Sequence, residues 1–227
     1  MREIAFDTET TGLNWDQDDR IIELGAVEMI NHIPTGKNFR RLINPGRKVS
    51  EATVRITGIT DADLDGKPTF EDSDVVDAFL EFVGDATLVA HNAKFDRGFL
   101  NMELKRCGLD PIPDERWIDT VEIARKKYPG APASLDALCK RFDISLESRT
   151  LHGALLDSQL LATVYLELLG GRARAFEFAE NSERQQTRAP AKQRPKQLKS
   201  SITKEEAKAH AEFVEKLGDE AIWKKLA

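Results

Sequence analysis

Asp7 and Glu9 stand two residues apart in Glu3-Ile4-Ala5-Phe6-Asp7-Thr8-Glu9, a short, partly apolar run that Thr11-Gly12 follows as a turn. Residues i and i+2 of a strand share a face, so the two carboxylates project side by side, a few ångströms apart. Like charges at that spacing repel unless a cation neutralises them, and hard carboxylate oxygens suit a divalent ion. An isolated Asp-x-Glu also fits a solvated strand end, so the pair gains meaning only with partners. Asp96 ends His91-Asn92-Ala93-Lys94-Phe95-Asp96, where an apolar run hands over to a helical pattern. Asn92 fits the N-cap of that helix, and Asp96, about one turn in, suits the helix dipole. Asp157 ends Leu151-His152-Gly153-Ala154-Leu155-Leu156-Asp157. On one continuous helix, His152 and Asp157 would point roughly 140° apart. They converge best if His152 lies in the loop or first turn and Asp157 within the helix.

The elements that must position these groups are legible in outline. Residues 3–9 read as a first strand, Ile21–Met29 as a second and Asn38–Ile43 as a third, with Pro34-Thr35-Gly36 as the hairpin turn between the last two. Pro68–Val83 has helical spacing, with Val75, Val76, Phe79, Leu80 and Phe82 on or near one side, and Thr87–Ala90 reads as a buried strand. Phe95, Phe99 and Met102 carry the Asp96 helix towards Cys107-Gly108. Trp117-Ile118-Asp119 is a further short strand. Helices are expected over about 120–127, 133–141 and 153–169, the last stopping at Gly170-Gly171. A leading meander of strands followed by alternating strand and helix gives an α/β fold, a mixed sheet flanked by helices.

This first domain is expected to span 1–170. Residues 171–198 turn to Arg, Gln, Lys, Pro and Ala and read as a disordered linker. Residues 199–227 read as a helical tail: Thr203 and Glu206 match a capping box, and Ala207, Ala211, Val214 and Leu217 form a narrow apolar stripe, with Ile222, Trp223 and Leu226 beyond. A single helix of that length is marginal in water, so the stripe calls for an external surface.

Net charge is -6. Residues 1–170 carry 20 Lys and Arg against 30 Asp and Glu, whereas 171–198 carry seven basic residues against three acidic. So acidic a body argues against a broad duplex-gripping face, because phosphate neutralisation dominates such binding. A nucleic-acid substrate is held locally or delivered by a partner. No apolar run approaches the length of a membrane span, the first residues lack a signal-peptide core, and Cys107 and Cys139 fit reduced buried thiols; the expectation is a cytoplasmic protein with no membrane partner.

Taken together, Asp-x-Glu-Thr-Thr-Gly, His-Asn-x-x-Phe-Asp and His-x-x-x-x-Asp, in this order, resemble the three motifs of the DEDDh family of 3'-to-5' exonucleases. The likeness extends through Ile21–Val27, Ser134–Cys139 and Arg149–Ala154, covering about 3–170, and is strongest to the proofreading branch. It implies an RNase H-like five-stranded sheet, Asp7, Glu9, Asp96 and Asp157 as ligands of two Mg2+ or Mn2+ ions, with Asp7 best placed to bridge both, and His152 as general base. It further implies that a single-stranded DNA 3' end is the substrate, and that Thr10, Thr11, His91 and Asn92 lie near it. Ile56-Thr57-Gly58-Ile59 departs from the family's usual His-Gly-Ile. Thr57 there is expected to keep one hydrogen bond to substrate, Gly58 to let the backbone approach it, and Ile59 to touch the terminal base. The resemblance also names partners: a polymerase catalytic subunit for 199–227, and a sliding clamp for a motif just after the domain, where 172–178 lacks a clear Gln-led sequence and any contact is weak. The rival readings are a standalone trimming exonuclease acting on RNA or DNA ends, against which the tail argues, and an inactive polymerase-stabilising scaffold, against which the five intact reactive positions argue.

Overall fold

A computed structural model describes residues 1–146, 151–171 and 202–216, and the chain divides into one unit of 1–184 and another of 185–227. In the first unit, β1 (Arg2–Thr10), β2 (Ile21–Ile30), β3 (Ile33–Leu42), β4 (Thr87–Ala90) and β5 (Trp117–Asp119) form one sheet in the order β3-β2-β1-β4-β5. β1 and β2, and β2 and β3, pair antiparallel, whereas β4 runs parallel to both β1 and β5. This is the expected mixed five-stranded sheet. Among the described residues of this unit, the sheet is joined by helices α1 (Glu51–Thr57), α2 (Asp61–Leu64), α3 (Val76–Val83), α4 (Ala93–Arg106), α5 (Thr120–Lys127), α6 (Leu135–Arg141) and α7 (Ala154–Leu168).

Alternation along β1 builds two cores. Ile4 and Phe6 pack with Phe79 of α3 and Phe99 and Leu100 of α4. Ala5 faces the other way, with Val27 and Val89, into Leu138 of α6 and Leu161 and Val164 of α7. Both sheet faces are covered, as the parallel half of such a sheet requires. The same alternation governs the strand's end, where residues 7 and 9 share Ala5's face and Thr8 shares that of Phe6.

Several expectations are corrected. The hairpin turn is Asn31-His32, whose φ values of 51° and 69° are those of a two-residue type I′ turn, with Ile30 paired to Ile33. Pro34-Thr35-Gly36 instead lies in β3, an edge strand, where a proline need not donate to a ladder. α3 starts at Val76 rather than near Pro68. Upstream, the Asp72 carboxylate accepts from Thr69 N–H and Oγ1, a local side-chain bond that competes with helix. Asn92 does occupy the N-cap position of α4, but in left-handed conformation and without a capping side-chain bond. The Asp119 carboxylate, from the end of β5, accepts from Asn92 N–H and Ala93 N–H in its place, both at 3.1 Å. α1 and α2 were not anticipated. Neither Cys107 nor Cys139 is in a disulfide, and of the two only Cys139 is buried.

In the second unit, α8 (Lys204–Lys216) opens with the expected capping box: Glu206 accepts from Thr203 N–H and Oγ1, and Glu206 N–H donates back to Thr203 Oγ1. Val214 is half-buried and Phe213 exposed. The expected linker 171–198, apart from Gly171, and Leu217, Ile222, Trp223 and Leu226 of the tail lie outside the described residues. Among the described residues no helix is long and apolar enough to cross a membrane.

Candidate active site

The site forms where β1 leaves the sheet between α4 and α7. Thr8, the residue between Asp7 and Glu9, is buried on the α4 side, and its N–H and Oγ1 both donate to Asp96 Oδ1, at 3.0 and 2.8 Å. Two bonds from one residue thus tie the α4 carboxylate to the strand segment that carries the acidic pair. Burial pushes the Asp96 carboxyl up to about 7, against the lowering effect of the Thr8 bonds. An anionic carboxylate so deeply buried is stabilised by a cation.

On the opposite face, α7 delivers Asp157, and β2 sets its position through two residues paired with the acidic positions of β1: Gly25 with Asp7 and Glu23 with Glu9. Gly25 permits direct backbone contact, because a Cβ at this position would lie 2.0 Å from the Ala154 carbonyl carbon. Ser158 Oγ donates to the Gly25 carbonyl at 2.9 Å. The buried Glu23 carboxylate accepts from Ala154 N–H at 2.9 Å, satisfying the start of α7, and from Arg40 at 2.5 Å.

His152 lies in the loop before α7, as the spacing requires. Its N–H donates to the Ile56 carbonyl at 3.0 Å, fastening the loop to α1, and its Nδ1 lies 3.2 Å from Asp157 Oδ2. Glu9, His152 and Asp157 each offer one donor atom, and the three lie within 4.8 Å of one another. With Asp7 one pleat earlier on the same strand face and Asp96 anchored through Thr8, this donor set fits a hard divalent cation.

Beside it lies a cavity of about 290 Å³ whose walls include Glu9, Thr10, Leu13, Ile56, Thr57 and Phe95. The remaining expected contact residues divide. Thr10 and Thr11 shape the turn, Thr10 Oγ1 donating to the Gly12 carbonyl and Thr11 Oγ1 bonding Asp19. The Thr57 hydroxyl donates to the Thr53 carbonyl and accepts from Ile59 N–H, so its hydrogen is already committed within the helix end. Gly58, at φ 73°, ends α1 in left-handed conformation, and the group closing on it is the Leu151 side chain, 2.5 Å from where a Cβ would stand. Ile59 is buried with Ile22 and Leu64, while exposed Ile56 opens into the cavity instead.

His91 and Asn92 line a different cavity, with Asp119 and Ser134. His91 Nδ1 sits 2.8 Å from Thr120 Oγ1, and burial lowers its pKa. Sequence reasoning missed Asp119, Glu23 and Gly25. Only Asp119 carries a local signal, as an acidic residue at a strand-to-helix junction where it also caps α5 through Val121 N–H.

Residues 4–165 match the RNase T exonuclease family model. A Rickettsia felis protein named DNA polymerase III subunit epsilon is 45% identical over 221 residues, covering 94% of this chain and 96% of that protein. The Escherichia coli protein of the same name is 40% identical over 240 residues, covering 98% and 97%. Among solved structures, Exonuclease X in complex with 5' overhanging duplex DNA superposes with a TM-score of 0.57 at 31% identity, covering 74% of this chain and 90% of the other.

Proposed function

This chain belongs to the exonuclease family, as a 3'-to-5' exonuclease, and we propose that it serves as the proofreading subunit of a replicative DNA polymerase. The observation carrying the site assignment is the convergence of Glu9, His152 and Asp157 beside a cavity of about 290 Å³. Enzymes of this family use divalent metal ions. The proposed ligands are Asp7, Glu9, Asp96 and Asp157, and the proposed complement is two Mg2+ or Mn2+ ions. Bound there, such ions supply an activated water and stabilise the leaving 3' oxygen of the terminal phosphodiester.

The chain's own residues do the rest. Thr8 holds Asp96 against β1, and Gly25 and Glu23 hold the start of α7, so that the carboxylates need no large rearrangement on binding. His152 accepts the proton of the attacking water. With Nδ1–H directed at Asp157, the imidazole carries its lone pair on Nε2, the atom left to take a proton. Leu13, Ile56 and Phe95 offer apolar surface to the terminal base. The product is a 5'-mononucleotide and a strand one residue shorter.

The near-full-length likeness to polymerase subunits, tail included, favours this reading over a standalone trimming enzyme. The proposed domain is 1–170, with 171–198 as tether and 199–227 as the segment that docks on the polymerase catalytic subunit. Any sliding-clamp contact is assigned to 172–178 and is weak. The test is digestion of 5'-labelled primers, single-stranded, paired or terminally mispaired, with Mg2+. Preferential shortening of single strands and mispaired ends from the 3' side supports proofreading, because such ends need no melting. Equal or faster attack on RNA ends refutes it.

A further inference from the structure

A second cavity, of about 390 Å³, lies along the exposed side of α4 and is lined by Trp15, Lys94, Arg97, Asn101, Met102 and Lys105. It adjoins the active-site cavity in sequence. Leu13 and Phe95 wall the catalytic side, and Trp15 and Lys94 wall this one. Its chemistry differs from that of the protein around it. In a chain of net charge -6, three cationic side chains recur along one helix at spacings that share a face. Arg97 pairs with Asp114 at 3.0 Å, whereas among the described residues neither Lys94 nor Lys105 has a carboxylate partner, and both are exposed.

Trp15 is held firmly. Its indole rests on the backbone of α4 at Gly98, where a Cβ would lie 2.6 Å from Trp15 Nε1, so no larger residue at 98 would allow this seat. The loop carrying it is closed by Thr11 N–H to the Arg20 carbonyl at 2.9 Å. The Arg20 guanidinium then clamps the buried Glu103 of α4 with bonds of 2.7 and 2.8 Å. One side of Trp15 packs against the core, and the residue as a whole stays half-buried. A half-exposed aromatic ring fixed in place, flanked by unpaired lysines, is the pairing of stacking surface and phosphate counter-charge that single strands bind.

We propose that this cavity is a second nucleotide subsite, in which Trp15 stacks on a base, and Lys94 and Lys105 meet phosphates, of the strand whose 3' end occupies the carboxylate site. The inference rests on the exonuclease reading and extends it, since it assigns substrate grip beyond the terminal nucleotide to α4 and the Trp15 loop. It also gives an acidic protein a local means of holding DNA.

The test compares kcat/KM on thymidylate strands of two and eight nucleotides, for wild type, Trp15→Ala and Lys105→Gln, over a range of salt. In the wild type the longer strand is favoured. Trp15→Ala is expected to shrink that advantage roughly tenfold, the usual scale of one stacked base. Lys105→Gln, at an exposed position that leaves folding untouched, is expected to flatten the salt dependence on the eight-nucleotide strand by about 0.7 in log-log slope. If both variants keep the wild-type length preference and salt slope, or lose activity equally on both lengths, the subsite is overturned while the exonuclease stands. A groove that seats a polypeptide instead gives this result. A wild type that leaves both strands intact overturns the exonuclease reading and the subsite with it.

Discussion

Gly25→Ala adds one methyl group where β2 meets the first turn of α7, and the consequence can be worked from distances. The new Cβ would lie 2.0 Å from the Ala154 carbonyl carbon, 2.2 Å from its oxygen and 2.3 Å from Leu155 N. All three are backbone atoms, so no rotamer change relieves the clash. Because carbon contacts settle near 3.5–4.0 Å, the start of α7 must retreat by more than about 1 Å. That movement strains the Ser158–Gly25 and Ala154–Glu23 bonds, and overpacking of this kind costs about 1–3 kcal/mol. It also carries Asp157 away from Glu9, and an ångström of misplacement in a catalytic group costs on the order of 10²-fold in rate. Urea titration and kcat/KM on a labelled single strand measure the two effects separately. The expected result is a folded, moderately destabilised protein with activity lowered about a hundredfold. A stably folded Gly25→Ala protein with wild-type kcat/KM would refute the view that β2 positions the α7 ligand.

Other expectations follow from the same geometry. In EDTA, a carboxyl pushed up to about 7 in the folded state, against an ordinary value of 3.8, binds its proton more tightly folded than unfolded. Stability is therefore highest near and below the unfolded value and falls as pH rises towards 7. Thermal melts are expected to decline over that window in the wild type and to decline less in Asp96→Asn; parallel curves would discount Asp96. His152→Ala is expected to lose about 10²- to 10⁴-fold in kcat while still binding single-stranded DNA; a folded variant with wild-type kcat would reduce His152 to scaffolding. Deleting 199–227 is expected to abolish co-purification with the polymerase catalytic subunit and to spare cleavage of free strands. Retained full-strength binding would refute the tether.

What the sequence disclosed was chiefly what is local. The spacing of Asp7 and Glu9 and the placement of His152 ahead of a helix that carries Asp157 follow from strand and helix periodicity, and the structure has both arrangements. The positions of the strands, helices α4 to α7 and the acidic pair's face were legible for the same reason. The hairpin turn was misplaced because Pro34-Thr35-Gly36 has the stronger turn composition, whereas Asn31-His32 needed only two left-handed residues to match the strand twist. α1 was missed despite Ser50 capping at Thr53 N–H, because it is short and rich in β-branched residues. That omission left the placement of Thr57 and Ile59 unread, since which of them faces the cavity depends on the helical turn. Glu23, Gly25 and Asp119 act through partners that are distant in sequence: Ala154 for the first two and Asn92 for the third. No local pattern marks the contacts of Glu23 and Gly25, and the strand-to-helix junction that marks Asp119 does not point to Asn92 as its partner.

The most direct test of the metal-dependent carboxylate site is Mg2+-dependent shortening of a 5'-labelled single strand by wild type and Asp7→Ala, both first shown to be folded. The wild type is expected to yield a ladder receding from the 3' end, absent in EDTA and restored by Mg2+ or Mn2+. Asp7→Ala is expected to yield none at any metal concentration, although its melting temperature without metal is unchanged or raised by relief of like-charge repulsion. Cleavage that persists in EDTA, or more than a few per cent of wild-type rate in a folded Asp7→Ala protein, would contradict the assignment.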